Sequence, residues 1–150
     1  MVIPPREFSH VPCRVFMDKV PPVATAGEKL QDVARRLLDI DYDSVLVYKE
    51  NNAIGIVTIK DIVRWLIKTK DTASLVIGDL VSVPLITVNS ETSLQDAFFT
   101  MNKFKIHYVI VEEDDVIKGI VSSSTIQEFC DNNSHYLREY TKSRSPSSQK

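Results

Sequence analysis

The sequence predicts an α/β fold made of two copies of one β-α-β-β-α unit, placed in tandem along 150 residues. Two observations predict it. The chain matches itself when it is shifted by 64 residues, the separation of Leu30 from Leu94, and each copy alternates short β-branched runs with the i, i+3, i+4 spacing of amphipathic helices. A period this long indicates a duplicated supersecondary unit and not a solenoid of short repeats.

The match keeps one offset through helix, strand and loop segments. The superposed residues are Leu30-Gln31-Asp32 on Leu94-Gln95-Asp96, Val45 and Val47 on Val109 and Val111, Gly55-Ile56-Val57 on Gly119-Ile120-Val121, and Ile62 on Ile126. The predicted organisation is an extended N-terminal segment 1–14, a first copy 15–68, a linker 69–78, a second copy 79–132, and a helix end with a disordered tail over 133–150. The tail lacks apolar residues from Thr141 onward, so nothing offsets the entropy of ordering it.

Each element of the first copy has its own signal. An extended piece over 22–25 precedes a helix that Thr25 and Glu28 could start as a capping box. The stripe of that helix is Leu30, Val33, Ala34, Leu37 and Leu38. A hairpin follows over 45–57, with its turn at 50–52, and strands this apolar are typical of sheets covered on both faces. The stripe of the closing helix is Ile59, Ile62, Val63, Leu66 and Ile67.

The second copy repeats the order. An extended piece over 85–88 precedes a helix with the stripe Leu94, Ala97, Phe98 and Met101. The hairpin is predicted over 108–121, and the closing helix begins near Ser124. Trp65 and its counterpart Phe129, on the two closing helices, are interpreted as packing or interface residues.

Composition excludes several classes of protein. The net charge of -2 gives no support for nucleic-acid binding, which usually needs a basic surplus. No apolar run reaches the roughly 18 residues of a membrane span, and residues 1–14 do not resemble a signal peptide. Cys13 and Cys130 lie far apart, so neither a zinc site nor a disulfide framework is expected. The expectation is a cytoplasmic protein without a metal.

The tandem units, each with Gly-Ile-Val-(Thr/Ser) before its last helix, resemble a pair of cystathionine-β-synthase (CBS) domains, the Bateman module. The resemblance covers about residues 15–132. It implies that the copies pack about a pseudo-two-fold axis and that clefts between them take AMP, ADP, ATP or S-adenosyl compounds. It also implies pairing into a homodimer and regulation of an enzyme, channel or transporter.

The strongest site motif is Gly55-Ile56-Val57-Thr58-Ile59-Lys60-Asp61. In the family it resembles, this motif binds ribose. A carboxylate such as Asp61 can accept hydrogen bonds from a vicinal diol, Thr58 adds a hydroxyl, and the helix start and Lys60 favour a phosphate. The same Thr58 and Asp61 also fit a plain helix N-terminal cap, and the two roles are compatible.

The second copy departs from this motif. Ser122 keeps the hydroxyl of Thr58, but Thr125 stands where Asp61 stands. A neutral hydroxyl does not replace a carboxylate that accepts from both ribose oxygens, so we expect unequal sites, with a second, weaker site formed by Thr87, Ser122, Ser124 and Thr125.

Further contacts follow from the resemblance alone. They are Ala24 and Thr25 after the first strand and Tyr42, Asp43, Ser44 and Val45 at the start of the second. The family often has proline where this chain has Val45. Tyr42 could stack on adenine or simply cover the rim of the core.

A local basic stretch over 103–107 supplies candidates for phosphate. Pseudo-symmetry could turn Lys105 and His107 toward a ligand on the first copy; alternatively the stretch is a solvated helix end. The leading hypothesis is therefore a regulatory module that binds an adenine nucleotide, AMP before ADP or ATP. The alternatives are an S-adenosyl-compound binder and an interaction module with vestigial sites. An enzyme is not expected, because no catalytic constellation is present.

Overall fold

The computed structural model describes residues 4–81 and 84–143, with side chains up to Asn133. In chain order the elements are α1 (Cys13–Phe16), β1 (Val23–Thr25), α2 (Leu30–Asp39), β2 (Ser44–Lys49), β3 (Asn52–Thr58), α3 (Ile59–Lys68), β4 (Thr87–Asn89), α4 (Leu94–Phe104), β5 (Tyr108–Glu113), β6 (Val116–Ser122) and α5 (Ser123–Ser143). Single 3-10 turns lie at Arg6–Phe8 and Ile77–Leu80. The predicted α/β class and both β-α-β-β-α repeats are confirmed.

The chain divides into two compact units. The Asp61 unit comprises Val20–Ile86, and the Thr125 unit comprises the residues up to Lys19 together with those from Thr87 onward. The part of the chain before the first strand of each repeat, its leading segment, therefore packs in the unit of the other repeat; for the first repeat this segment is residues 4–19. This division differs from a simple cut between the copies, and it decides which residues surround each site.

Each unit contains one three-stranded mixed sheet. In the Asp61 unit the order is β1-β2-β3, with β1 parallel and β3 antiparallel to β2, and β4-β5-β6 repeats this in the Thr125 unit. The register repeats as well: Ser44 faces Thr58 as Tyr108 faces Ser122, and both hairpins carry an irregularity after the fourth strand residue. The duplication thus extends to individual backbone pairings.

The core of the Asp61 unit forms between its sheet and α2. Three successive residues of β2, Val45–Val47, are fully buried, which confirms that both faces of this strand are covered. The buried cluster is Ala24, Leu30, Val33, Leu37, Val45, Val47, Val57, Ile62, Ile77 and Leu80. Trp65 packs against it. The buried faces of α2 and α3 are narrower than the predicted apolar stripes, because Leu38 of α2 is 74% exposed and Ile67 of α3 is 80% exposed.

The predicted capping box of α2 is wrong. The helix begins at Leu30 and Lys29 is its N-cap residue, without a side-chain hydrogen bond. Thr25 ends β1 instead, and its N–H donates to Glu28 Oε2 at 2.7 Å across a tight turn. Thr25 and Glu28 are therefore in contact, but the turn that they form follows β1 and does not cap α2.

Residues 4–19, expected to be extended up to residue 14, contain a 3-10 turn and α1 in the Thr125 unit. Asp18 pairs with Ile120 in an antiparallel bridge at the edge of β6. Phe129 of α5 contacts the rings of Phe8 and Phe16 at centroid distances of 5.4 and 5.5 Å. The predicted packing role of Phe129 is confirmed, and aromatic contacts of this kind fix the leading segment to its unit.

The helix-to-strand connections also repeat. Asp41 and Lys105 both have left-handed backbones, with φ of 57° and 54°, and Lys105 is the C-cap residue of α4. The helix α5 extends to Ser143, so part of the predicted disordered tail is helical, and the remainder lies outside the described residues.

Candidate functional site

The site of the Asp61 unit is built on a reciprocal helix cap. The Asp61 N–H donates to Thr58 Oγ1 at 3.2 Å, while the Thr58 N–H and hydroxyl donate to Asp61 Oδ2 at 2.9 and 3.0 Å. Thr58 ends β3 and is the N-cap residue of α3. The capping role suggested by the sequence is therefore present.

The cap leaves part of the site free for a ligand. A carboxylate oxygen accepts about two hydrogen bonds, so Asp61 Oδ2 is saturated by Thr58. Asp61 Oδ1 accepts one long bond, from Arg64 Nη1 at 3.3 Å. The Asp61 side chain is 25% exposed and that of Arg64 is 61% exposed, so Arg64 can move away. A diol could donate to Asp61 Oδ1 and to the remaining lone pair of Thr58 Oγ1.

The start of β2 lies beside this cap. The Ile59 N–H donates to the Asp43 carbonyl at 2.9 Å, and Ser44 is the register partner of Thr58. Tyr42 precedes them and is 42% exposed, so its ring is available at the rim. The structure thus brings together Asp43, Ser44, Thr58 and Asp61, as the sequence predicts.

Other predicted contacts lie elsewhere in the unit. Thr25 pairs with Tyr48, which is four residues along β2 from Ser44 and hence about 13 Å away. Ala24 is 2% exposed and Val45 is fully buried, so only their backbone atoms could reach a ligand. Lys60 is exposed on the first turn of α3, where its charge can approach a phosphate.

The sequence interpretation missed Arg64. It lies one turn after Asp61 on α3, and an arginine at i+3 from a helix-capping carboxylate is the signal that could have identified it. Because Arg64 is bonded to the same carboxylate that a diol would use, it would have to move away from Asp61 Oδ1 for a diol to bind there.

The Thr125 unit reproduces the cap with hydroxyls only. The Thr125 N–H donates to Ser122 Oγ and the Ser122 N–H donates to Thr125 Oγ1, both at 3.1 Å. The two hydroxyl oxygens are 2.8 Å apart. Thr125 Oγ1 therefore occupies the place that Asp61 Oδ2 has in the other unit.

A carboxylate is nevertheless present at this second cap. Thr125 Oγ1 donates to Asp18 Oδ2 at 2.6 Å. Since the single Thr125 proton goes to Asp18, the Ser122 hydroxyl must donate to Thr125, and the three groups form a chain directed at the carboxylate. Thr125 is 4% exposed, whereas Asp18 is exposed. Asp18 lies 107 residues from Thr125 in sequence, so no local motif indicates this contact.

The remaining predicted residues lie in the Thr125 unit. The His107 carbonyl accepts from the Ser123 N–H at 3.1 Å, as Asp43 does from Ile59, so His107 is next to the start of α5. Lys105, His107, Thr87 and Ser124 are exposed. That Lys105 and His107 face a ligand on the Asp61 unit stays a prediction.

Comparison with known proteins decides the family. A family model described as the CBS domain matches residues 13–68 and, a second time, residues 77–131. The chain belongs to the CBS domain family. Its two tandem matches make it a CBS pair, and they begin at Cys13 and Ile77, which the shift of 64 residues superposes.

Relatives of this CBS pair are found among both sequences and structures. The chain is 27% identical over 122 residues to the uncharacterized protein MJ0450 of Methanocaldococcus jannaschii, covering 78% of this chain and 64% of that protein. It thus spans less than two thirds of that relative. An uncharacterized conserved protein of Pyrococcus horikoshii is similar in structure, with 25% identity, a TM-score of 0.72, and coverage of 81% of this chain and 92% of that chain.

A second similar structure is the CBS domain pair of protein MJ0100, solved in complex with 5′-methylthioadenosine and S-adenosyl-L-methionine. It is 21% identical, with a TM-score of 0.69, and the similarity covers 82% of this chain and 98% of that chain. At this identity the likeness establishes the shared fold.

Neither a membrane-spanning helix nor a group of side chains that could hold a metal ion is found among the described residues of the CBS pair, 4–81 and 84–143. No helix there is both long and apolar enough to cross a membrane. Among the side chains that the structure describes, no group of three or more histidine, cysteine, aspartate or glutamate residues is arranged to hold a metal ion. Burial raises the pKa of the Cys13 thiol to about 11 and also raises that of Cys130, where the charge of Asp131 contributes.

Proposed function

We propose that the Asp61 unit binds the adenosine part of an adenine nucleotide, AMP before ADP or ATP, and that the protein reports occupancy to a regulated partner. The observation that carries this is the Thr58–Asp61 cap with one weakly engaged carboxylate oxygen. An acceptor of this kind suits a ribose diol, and the N-terminus of α3 beside it favours a phosphate.

S-adenosyl compounds are a second candidate ligand. The support is that the similar CBS pair of MJ0100 was solved with two such adenosine compounds. Ribose and adenine are common to both ligand classes, so the proposed contacts of Asp61 and Tyr42 are the same. The classes differ at the 5′ end, where a phosphate would use Lys60, whereas the sulfonium of S-adenosylmethionine would be repelled by it.

Thermal melting with a ligand panel tests this function. AMP, ADP, ATP, S-adenosylmethionine and 5′-methylthioadenosine would each be added at a hundred times the expected dissociation constant. Binding at that excess stabilises by about 2.7 kcal/mol, which corresponds to a melting shift of roughly 5–10 °C for a chain of this size. The 2′-deoxy analogue of the best ligand should give a smaller shift.

Matched variants locate the ligand. Asp61→Asn should reduce the melting shift, because it weakens binding at the Asp61 unit, and Asp96→Asn, which alters a first-turn aspartate of α4, should keep the shift in full. An adenine compound that shifts wild type and both variants equally contradicts the proposed site. No shift with any compound favours the alternative of an interaction module with vestigial sites.

We further propose that the chain pairs as a homodimer in the cytoplasm. The support is an exposed apolar group on α3, where Val63, Leu66 and Ile67 are 48%, 47% and 80% exposed. Apolar area of this kind is stabilised by a second protein surface. Sedimentation velocity should show a dimer that Ile67→Glu weakens, while Leu38→Glu on α2 serves as the control.

A further inference from the structure

In sequence, the two units carry a carboxylate and a hydroxyl at the same two positions, but in opposite order. The shift of 64 residues superposes Thr125 on Asp61, and it superposes Ser82 on Asp18. Asp61 on the closing helix α3 thus goes with Ser82, a carboxylate with a hydroxyl. Thr125 on the closing helix α5 goes with Asp18, a hydroxyl with a carboxylate, and these two side chains are in contact.

The backbone fixes Asp18 at this place. Its N–H donates to the Ile120 carbonyl at 2.9 Å, and the Ile120 N–H donates back at 3.0 Å. A Cβ atom on Gly119 would lie 2.5 Å from the Asp18 carbonyl oxygen and 2.8 Å from Met17 Sδ. The leading segment therefore lies tightly against β6, and the Asp18 carboxylate is held at the start of α5.

The hydroxyl chain sets the chemistry of that carboxylate. Ser122 donates to Thr125, and Thr125 donates to Asp18, so the negative charge sits one hydrogen bond farther from the helix than the charge of Asp61 does. Asp18 is exposed, so its carboxylate remains accessible to a ligand as well as to Thr125.

A second feature of the same helix start points to a missing partner. Ser123 Oγ is shielded from solvent and has no hydrogen-bond partner among the described residues. Its counterpart in the Asp61 unit is the apolar Ile59. A buried hydroxyl without a partner is unfavourable, and such groups commonly mark a place where a water or ligand atom binds.

We propose that Asp18 is the diol-binding carboxylate of the Thr125 unit, so that this unit keeps a nucleoside site that its own helix motif has lost. The inference rests on the proposed function for the ligand class, a ribose with both hydroxyls free. A diol hydroxyl would donate to Asp18, whose Oδ2 already accepts from Thr125. The second site then lacks the aspartate of the helix motif but is not vestigial, because Asp18 supplies the carboxylate.

Calorimetric titration with AMP counts the sites. Wild type should bind two AMP per chain. Asp61→Asn and Asp18→Ser should each leave one, and the double variant should leave none. Serine is chosen at position 18 because the other repeat carries serine at the corresponding position 82. Asp18→Asn, which keeps the shape but removes the charge, should also leave one site.

A rescue variant distinguishes a ligand-binding role of Asp18 from a purely structural role of its hydrogen bond with Thr125. Asp18→Ser combined with Thr125→Asp recreates the arrangement of the other repeat and should restore two sites. Thermal melting without ligand checks that each variant is folded; if the rescue variant does not fold, Asp18→Ser and Asp18→Asn decide.

If Asp18→Ser and Asp18→Asn both still bind two AMP per chain and differ from wild type only in a lower melting temperature, the inference is overturned. A wild type with a single site that Asp61→Asn removes also overturns it, a result that leaves the proposed function intact. A wild type that binds no AMP, and none of the other adenosine compounds, overturns both.

Discussion

The Thr125 hydroxyl donates to the Asp18 carboxylate at 2.6 Å, although the two residues are 107 positions apart. A hydrogen bond to a charged acceptor is shorter and stronger than one between neutral groups. The contact joins the leading segment to the N-terminus of α5, while Thr125 also caps that helix with Ser122. One hydroxyl therefore serves both the local and the long-range structure of the unit.

Removing that hydroxyl should destabilise the protein. Thr125→Val keeps the side-chain shape but loses the bond to Asp18 and the bond that Thr125 Oγ1 accepts from the Ser122 N–H, and we expect the free energy of unfolding to fall by about 1–2 kcal/mol. Thr100→Val is the control: the Thr100 hydroxyl donates to the Asp96 carbonyl within α4, and its loss should change stability by less than about 0.5 kcal/mol. Urea unfolding measures both. Equal losses would contradict a special role for Thr125.

The two equivalent glycines should differ in their tolerance of alanine. At Gly119 the added Cβ meets the Asp18 backbone, which is fixed by two hydrogen bonds, so Gly119→Ala should cost about 1–3 kcal/mol as an overpacked site. At Gly55 it meets only the side chain of Val81, 2.5 Å away at Cγ1, which can rotate. Gly55→Ala should therefore cost less in urea unfolding. A larger loss at Gly55 would contradict the close approach at Gly119.

Sequence periodicity predicts most of the fold for a physical reason. Each strand and helix buries its own apolar face, so the local pattern carries the information. Examples are Val45–Val47 of β2 and the α4 residues Leu94, Ala97, Phe98 and Met101. The Thr58–Asp61 cap is also local, because its residues lie within one helical turn. These features needed no knowledge of tertiary contacts.

Long-range placement could not be predicted in the same way. Asp18 belongs to the first repeat in sequence but lies in the Thr125 unit, because α1 and Phe8 pack with the second repeat. The charge missing from position 125 is thus supplied by a residue that no spacing rule connects to it. Likewise, Thr25 lies away from Thr58. The parallel pairing of β1 with β2 places Thr25 opposite Tyr48, whereas Thr58 is opposite Ser44 at the other end of β2.

Stability should depend on pH through Glu28. The hydrogen bond from Arg36, at 2.9 Å, is the main cause that lowers the pKa of this carboxyl below its ordinary value of 4.5. A lowered folded-state pKa means that the stabilisation is present above the ordinary value and is lost as the pH falls through the lowered one. Both partners are partly exposed, so Glu28→Gln should cost no more than about 1 kcal/mol at pH 7.

The check is urea unfolding of wild type and Glu28→Gln between pH 7 and pH 3. The difference between them should be constant at neutral pH and shrink below pH 4.5. Glu128→Gln, at an exposed position of α5, is the control. A difference for Glu28→Gln that grows as the pH falls would have the wrong sign and would contradict the assignment.

The two free thiols should be unreactive in the folded protein. Burial raises the pKa of Cys13 to about 11, and Cys130 is also buried with a raised pKa. Because the thiolate is the nucleophile, iodoacetamide at pH 8 should modify Cys13 at least about a hundred times more slowly in the native chain than in urea. The rate at Cys13 should rise about tenfold per pH unit toward pH 11 as long as the fold persists. Mass spectrometry of tryptic peptides follows each cysteine separately, and native modification as fast as in urea would show that the leading segment does not bury Cys13.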